Sequence, residues 1–254
     1  MVVVGRPSLV LAPFVELFWH DSRYRNLRHR ERVLPTGAFT IVFDLESGTG
    51  IVTGVRSRCI EFDTNPVGTV VGILFRPGGA RAFFRWSAED LYNETVPLEL
   101  LWGSGAIEMC RRLREATSPR TRFQVLDDAL SRRMTSRTIL HPAVECGLHE
   151  FQRVPHMRRV LEVVGDSGLS RRRFSQLFRE QVGITPKLYS RLHRFYWVLR
   201  RLSSGSDIDW ADVALAGGYS DQSHLVHEFR EFSGFSPTGF LKTERPSGAH
   251  IRVS

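Results

Sequence analysis

Apolar and polar positions alternate with helical periodicity through the second half of the chain. The run KLYSRLHRFYWVLRRLS, residues 187–203, has the pattern of one long amphipathic helix. Shorter apolar runs lie on both sides of it, separated by the breaks SGLS, ITP, SSGSD and YSD. The pattern predicts an all-α C-terminal domain in which the long helix joins two groups of shorter helices.

The first half has a different pattern. Runs of Val, Ile, Phe and Leu bounded by Gly and Pro indicate strands between residues 9 and 76, above all within 30–45 and 68–79. After Gly79 the runs suit helices, over 80–86, 97–102, 105–116 and 118–134. We therefore predict an α+β N-terminal domain over 1–135, a linker with a first helix over 136–153, and the all-α domain over 154–245.

The second half also contains a duplication. The segments LSRRRFSQLFREQVGITP (169–186) and SDQSHLVHEFREFSGFSP (220–237) align without a gap at an offset of 51 residues. The matches include Phe178 with Phe229, Gly183 with Gly234 and Pro186 with Pro237. A run of matches of this length indicates a repeated structural unit.

Each copy has the parts of a helix-turn-helix motif, over about 160–182 and 210–233. A short apolar helix and a glycine-bearing turn precede Ser170 or Asp221, residue types that cap helix N-termini. Gly183 and Gly234 follow the second helix where a left-handed residue ends it. We expect the second helices to be the recognition helices 171–182 and 222–233.

The open faces of these helices carry groups that form paired hydrogen bonds with base edges, and not the Lys and Glu of an ordinary solvated surface. For a single residue a solvated face is the commoner explanation, but two such faces together favour DNA reading. The predicted base contacts are Arg172, Ser175, Gln176, Gln222, Ser223, His224 and His227. The predicted phosphate contacts are Arg171, Arg179 and Arg230.

The charge distribution agrees with a polyanionic partner. The formal net charge is +8, and residues from 151 onward hold 16 Lys and Arg against 10 Asp and Glu. Three scattered cysteines, Cys59, Cys110 and Cys146, form no metal-binding or disulfide pattern. No apolar run approaches the roughly 20 residues of a membrane helix, so we expect a cytoplasmic protein with no membrane partner.

Residues 154–241 resemble the DNA-binding domain of the AraC/XylS transcription regulators, most specifically in ADVALAGGYSDQSHLVHEFREFSGFSPTGF. The resemblance implies seven helices, with the long helix 187–202 joining the two units. It also implies recognition helices in successive major grooves about 34 Å apart. The motifs VLPTG, FRPGGA and ETVPLELLWG resemble an uncharacterised domain that precedes this module in some regulators. That resemblance covers about 10–130 and implies a compact sensory or oligomerisation domain, a reduced relative of a cupin-like barrel.

The leading hypothesis is a sequence-specific transcription regulator that is not an enzyme and needs no cofactor. Double-stranded DNA is its expected partner, and RNA polymerase, a small-molecule effector at 10–130 and a second copy in a homodimer are further candidates. Two alternatives stay open: a DNA-associated enzyme or repair-type fusion that uses the β-rich half, and a non-specific DNA-coating protein.

Other candidate sites favour ordinary structural roles. We interpret Arg76–Arg81 as a glycine turn rather than an anion-binding nest. We expect His20 and His29 at the surface, and Trp19, Trp86 and Trp102 in the core. No catalytic or metal-ligand constellation stands out.

Overall fold

The computed structural model describes residues 2–22, 30–63, 68–135, 140–153, 159–202, 208–243 and 250–253. Within these ranges the N-terminal half contributes eight strands, β1 (Val2–Gly5), β2 (Val15–Asp21), β3 (Arg30–Val33), β4 (Thr40–Asp44), β5 (Thr49–Thr53), β6 (Ile60–Asp63), β7 (Val70–Phe75) and β8 (Thr95–Pro97). Its helices are α1 (Glu99–Trp102), α2 (Ser104–Glu115) and α3 (Pro119–Arg133).

Six strands form one antiparallel sheet in the order β1-β2-β7-β4-β5-β8. Buried and less buried residues alternate along β4, so that Ile41 and Phe43 point into the core. Helices α2 and α3 bury Met109, Leu113 and Leu126, and α3 lies close to β1 and β2. The predicted order of a sheet followed by helices is confirmed.

The helix predicted over 80–86 is shorter than expected. A 3₁₀ helix covers only Gly79–Ala82, and a second 3₁₀ helix follows at Ala88–Leu91. Gly79 packs so closely on the Phe14 carbonyl that a Cβ would lie 2.1 Å from its oxygen. The glycine turn predicted before this helix is present, with Gly78 at φ 77°.

The C-terminal half contains seven α-helices among the described residues, the number implied by the resemblance. They are α4 (Pro142–Arg153), α5 (Val160–Asp166), α6 (Arg171–Val182), α7 (Pro186–Leu202), α8 (Trp210–Ala216), α9 (Gln222–Ser233) and α10 (Pro237–Phe240). Within the described ranges, no helix is long and apolar enough to cross a membrane.

The chain end returns to the N-terminal half. Strand β9 (His250–Val253) pairs with β3, and β3 pairs with β6, which gives a second sheet of order β6-β3-β9. The predicted DNA-binding domain ends at residue 245, and no strand is predicted beyond it. A four-residue strand that pairs with a segment more than 200 residues away leaves no local pattern to detect.

Candidate nucleic-acid interface

The two predicted recognition helices, α6 and α9, form with the predicted bounds. Helix α6 begins at Arg171 because the Ser170 hydroxyl accepts a hydrogen bond from the Arg173 N–H at 3.3 Å. Helix α9 begins at Gln222, where an Asp221 carboxylate oxygen accepts from the His224 N–H at 2.8 Å. Helices α5 and α6 form the first unit, and α8 and α9 form the second.

Both recognition helices end at a glycine in the left-handed region. Gly183 has φ 98° and Gly234 has φ 77°, and each donates its N–H to a carbonyl of the helix it terminates. The predicted caps are therefore confirmed at all four helix ends.

Each recognition helix exposes a stripe of polar side chains. Helix α6 buries Phe174, Leu177, Phe178, Gln181 and Val182, and α9 buries Leu225, Glu228, Phe229, Phe232 and Ser233. At 3.6 residues per turn, the positions opposite these faces are two sets of three at spacing i, i+4, i+7. We call them the outward stripes: Arg172, Gln176 and Arg179 on α6, and Ser223, His227 and Arg230 on α9.

The stripes match one to one at the offset of 51 residues, so Arg172 corresponds to Ser223 and Gln176 to His227. The remaining candidates flank the stripes. Arg171 and Gln222 are exposed at the helix starts, and Ser175 is half-buried. The His224 Nδ1 lies 3.1 Å from the Ser220 hydroxyl, and its ring packs edge-on against Tyr219.

A buried ion-pair network fixes the second unit to α7. The Glu228 side chain, only 3 % exposed, accepts hydrogen bonds from Arg191 Nε at 2.6 Å and from Arg194 Nη2 at 3.1 Å. Arg191 also pairs with Glu231, and Arg194 Nη1 donates to the Gly218 carbonyl in the turn at 3.2 Å. A buried carboxylate is stable only when it is paired and hydrogen-bonded in this way.

Apolar and aromatic contacts fix the first unit. The Phe178 ring lies 6.2 Å from Phe151 of α4 and 5.5 Å from Tyr189 of α7. Gly147 of α4 lets that helix approach closely, since a Cβ there would lie 2.9 Å from the Phe174 ring. Leu177 occupies the position that Glu228 holds in the second unit.

Two domain families match the chain. The family described as "Helix-turn-helix domain" matches residues 165–243, which contain both recognition helices. Residues 165–243 are an AraC-type helix-turn-helix domain, and the chain is a DNA-binding transcription regulator. Residues 5–97 of the regulator match a domain of unknown function, DUF6597. No curated protein sequence matches the regulator.

Solved structures similar to the regulator include ToxT from Vibrio cholerae, at 11% identity and TM-score 0.45 over 95% of the regulator and 97% of ToxT. The DNA-binding domain of the global transcriptional factor AdpA, in complex with a target DNA, has 25% identity and TM-score 0.35 over 39% of the regulator and 89% of that chain. The xylose-binding transcription activator XylR has 15% identity and TM-score 0.35 over 47% and 38% of the two chains.

The N-terminal half of the regulator contacts the C-terminal end of the first recognition helix. Glu89 forms an ion pair with Arg179, its Oε1 lying 3.1 Å from Nε. The Ser87 hydroxyl donates to the Glu180 carbonyl at 3.4 Å. The two halves approach closely at Gly183, where a Cβ would lie 3.0 Å from the Ala88 carbonyl oxygen. Arg179, predicted as a phosphate contact, is therefore engaged by a carboxylate.

A second contact reaches the end of α9. Arg32 Nη1 donates to the Ser233 carbonyl at 3.0 Å, and its guanidinium lies 4.6 Å from the centre of the Phe235 ring. Glu61 pairs with the same guanidinium. Neither Glu89 nor Arg32 was predicted from the sequence, since neither lies in a motif and their contacts with α6 and α9 join residues at least 90 positions apart.

Two predictions about the burial of side chains were wrong. His20 is 3 % exposed, because the alternation of β2 turns it inward, where its Nε2 lies 2.5 Å from Arg122 Nη1. Burial and this guanidinium lower the pKa of His20. Trp86 is 49 % exposed, whereas Trp102 is buried as predicted.

Trp19 is half-buried, and His29 lies outside the described residues. Among the described residues, no three His, Cys, Asp or Glu side chains are grouped as metal ligands. The described cysteines are free thiols.

Proposed function

We propose that the regulator reads a specific DNA sequence by placing α6 and α9 in two successive major grooves. The observation that carries the proposal is the one-to-one match of the outward stripes on two helices of equal length, each with a side-chain N-cap and a left-handed glycine at its end. A stripe that combines guanidinium, amide, hydroxyl and imidazole groups is suited to base edges. Uniform Lys and Arg would favour non-specific coating of DNA instead.

The connection between the units supports the same placement. Helix α7 has 17 residues and a length of about 25 Å at 1.5 Å per residue. It packs against α6 through Tyr189 and against α9 through Arg191 and Arg194, so it acts as a rigid spacer. Successive major grooves on one face of DNA are about 34 Å apart. A spacer of this length keeps the two helices on separate grooves.

The helix positions suggest the residue roles. The residues in the first two turns of each helix would contact bases: Arg172 and Gln176 on α6, and Ser223 and His227 on α9. The flanking residues Ser175, Gln222 and His224 would contact bases at the edges of the groove. Arg179 and Arg230 lie near the helix C-termini, where the helix leaves the groove, and would contact phosphates together with Arg171.

We infer further that the N-terminal half, residues 1–135, modulates DNA binding and that 154–245 performs it. The contacts of Glu89 and Arg32 with the ends of α6 and α9 support this division of roles. A small-molecule effector that favours one arrangement of the halves would shift the population that binds DNA. We also propose that the regulator forms a homodimer and contacts RNA polymerase.

The test compares specific and non-specific affinity at one salt concentration. A duplex selected from random DNA by the full-length protein is titrated beside a scrambled duplex of the same length. We expect the selected duplex to bind at least about 10³-fold more tightly. Equal affinity for the two duplexes would show that the protein coats DNA without reading it.

A further inference from the structure

The equivalent arginines of the two outward stripes have different surroundings. In the first unit, the Arg179 and Glu89 side chains form their ion pair while 43% and 47% exposed. In the second unit, Arg230 is exposed and has no ion-pair partner within the part of the chain that the structure describes. Of the two stripe arginines proposed as phosphate contacts, Arg179 is therefore already occupied by an anionic group and Arg230 is not, within the described residues.

Glu89 is held in place by the turn that carries it. It lies in the 3₁₀ helix Ala88–Leu91, which is closed by a capping box between Ser87 and Asp90. The Ser87 N–H donates to an Asp90 carboxylate oxygen at 3.0 Å, and the Ser87 hydroxyl reaches the Glu180 carbonyl of α6. Because the turn is docked on α6, the Glu89 carboxylate stays near Arg179 even when its side chain rotates.

We infer that Glu89 sets the DNA affinity of the first unit by competing with a DNA phosphate for Arg179. This inference rests on the proposed phosphate contact of Arg179. A carboxylate and a phosphate bind a guanidinium in the same charge-assisted way, so one displaces the other. The displaced carboxylate remains beside the phosphate and repels it.

The Arg179–Glu89 ion pair is weak enough for a DNA phosphate to displace Glu89, so Glu89 lowers DNA affinity without preventing binding. Exposed ion pairs contribute little to stability, and salt screens them. DNA binding therefore proceeds with Glu89 in place, but more weakly than without it. Moving the turn at residues 87–91 away from α6 frees Arg179, so the N-terminal half controls DNA affinity without contacting DNA.

The experiment measures the affinity and salt dependence of full-length Glu89→Gln on the duplex selected by the wild-type protein. We expect binding about two- to five-fold tighter at fixed salt, the range that corresponds to an exposed ion pair. The slope of log affinity against log salt should steepen by about 0.9, which is one additional phosphate contact. Glu115→Gln is the matched control, since it removes an exposed carboxylate that pairs with Arg111 elsewhere in the N-terminal half. It should change neither value.

Double variants assign the effect to Arg179. The gain from Glu89→Gln should disappear in an Arg179→Ala background and persist in an Arg230→Ala background. A gain that persists without Arg179, no gain in the single variant, or weaker binding by Glu89→Gln would each overturn the inference. If Arg179→Ala leaves affinity and slope unchanged in the Glu89→Gln background, the competition is also refuted, while the selective binding of the wild-type protein still supports the proposed function.

Discussion

The two helix-turn-helix units have similar sequences but are held in place by different interactions. In the second unit, the buried Glu228 carboxylate binds Arg191 and Arg194 of α7. In the first unit the equivalent residue is Leu177, and the helix is held by aromatic contacts with α4 and α7. The N-terminal half adds the contact of Glu89 with Arg179. The comparison shows that a duplicated surface can be kept while its support diverges.

The divergence reflects the different neighbours of each unit. Helix α4 packs against both α6 and α7, with Phe151 and Gly147 at its contact with α6. Helix α9 is covered by the short α10, whose Phe240 ring lies 5.3 Å from Phe229. Arg191 and Arg194 reach across from α7 and hold Glu228 in a fixed geometry, and their guanidiniums lie over the Phe232 and Tyr219 rings.

The largest effect is expected from Glu228→Ala. The change leaves Arg194 without its carboxylate partner and Arg191 with only Glu231, so it should destabilise the second unit by about 3–5 kcal/mol. Denaturant unfolding measures the loss. Glu228→Gln is the control, because its amide keeps the size and part of the hydrogen bonding, and it should cost less. A loss below about 1 kcal/mol for Glu228→Ala would contradict a supporting role for the network.

Lowering the pH should destabilise the fold around the first unit. Burial, with a contribution from Arg200, lowers the pKa of His193 to about 4, and its ring packs on Tyr189. The unfolded chain binds this proton below about pH 6.5, and the folded chain binds it only near pH 4. Stability should therefore fall between about pH 6.5 and 4, by up to about 3 kcal/mol.

Unfolding curves of the wild-type protein and His193→Gln across this pH range measure the contribution of His193. The difference in stability between the two proteins should change with pH and level off below pH 4. A pH-independent difference would show that His193 does not titrate differently in the folded and unfolded chains.

Gly147→Ala tests the close approach of α4 to α6. The added methyl meets the Phe174 ring at 2.9 Å, and overpacking of this kind costs about 1–3 kcal/mol. Gly165→Ala in α5 is the matched control, because a Cβ added there would have no neighbouring atom within 4 Å. That substitution should be neutral or stabilising by up to about 1 kcal/mol, since alanine favours a helix over glycine. Equal thermal stability of the two variants would refute the tight contact.

The features that sequence reasoning predicted are those set by neighbouring residues. Ser170, Asp221, Gly183 and Gly234 act on backbone groups within a few positions, so the bounds of α6 and α9 followed from the sequence. The exposure of Arg172 and Gln176 followed as well, because helical spacing alone separates them from the buried Phe174 and Phe178.

The unpredicted features depend on distant partners. From the sequence, Arg179 is predicted to be free for a phosphate contact, but the fold places Glu89 beside it. His20 is predicted at the surface, but α3 packs over β2 and brings Arg122 into contact with it. Trp86 reads as a core residue, yet it lies beside the docked turn and stays half exposed. Burial and pairing at these positions are decided by packing between elements, which no local pattern records.

The most direct test of the central claim is a binding selection on randomised DNA with the wild-type protein, Arg172→Ala and His227→Ala. The wild-type consensus should contain two parts about one helical turn apart. Arg172→Ala should relax one or two positions in one part only, and His227→Ala in the other part only, each costing about 1–3 kcal/mol on the wild-type site. A consensus left unchanged by both substitutions, or one altered in the same part by both, would contradict the reading of two grooves by equivalent helices.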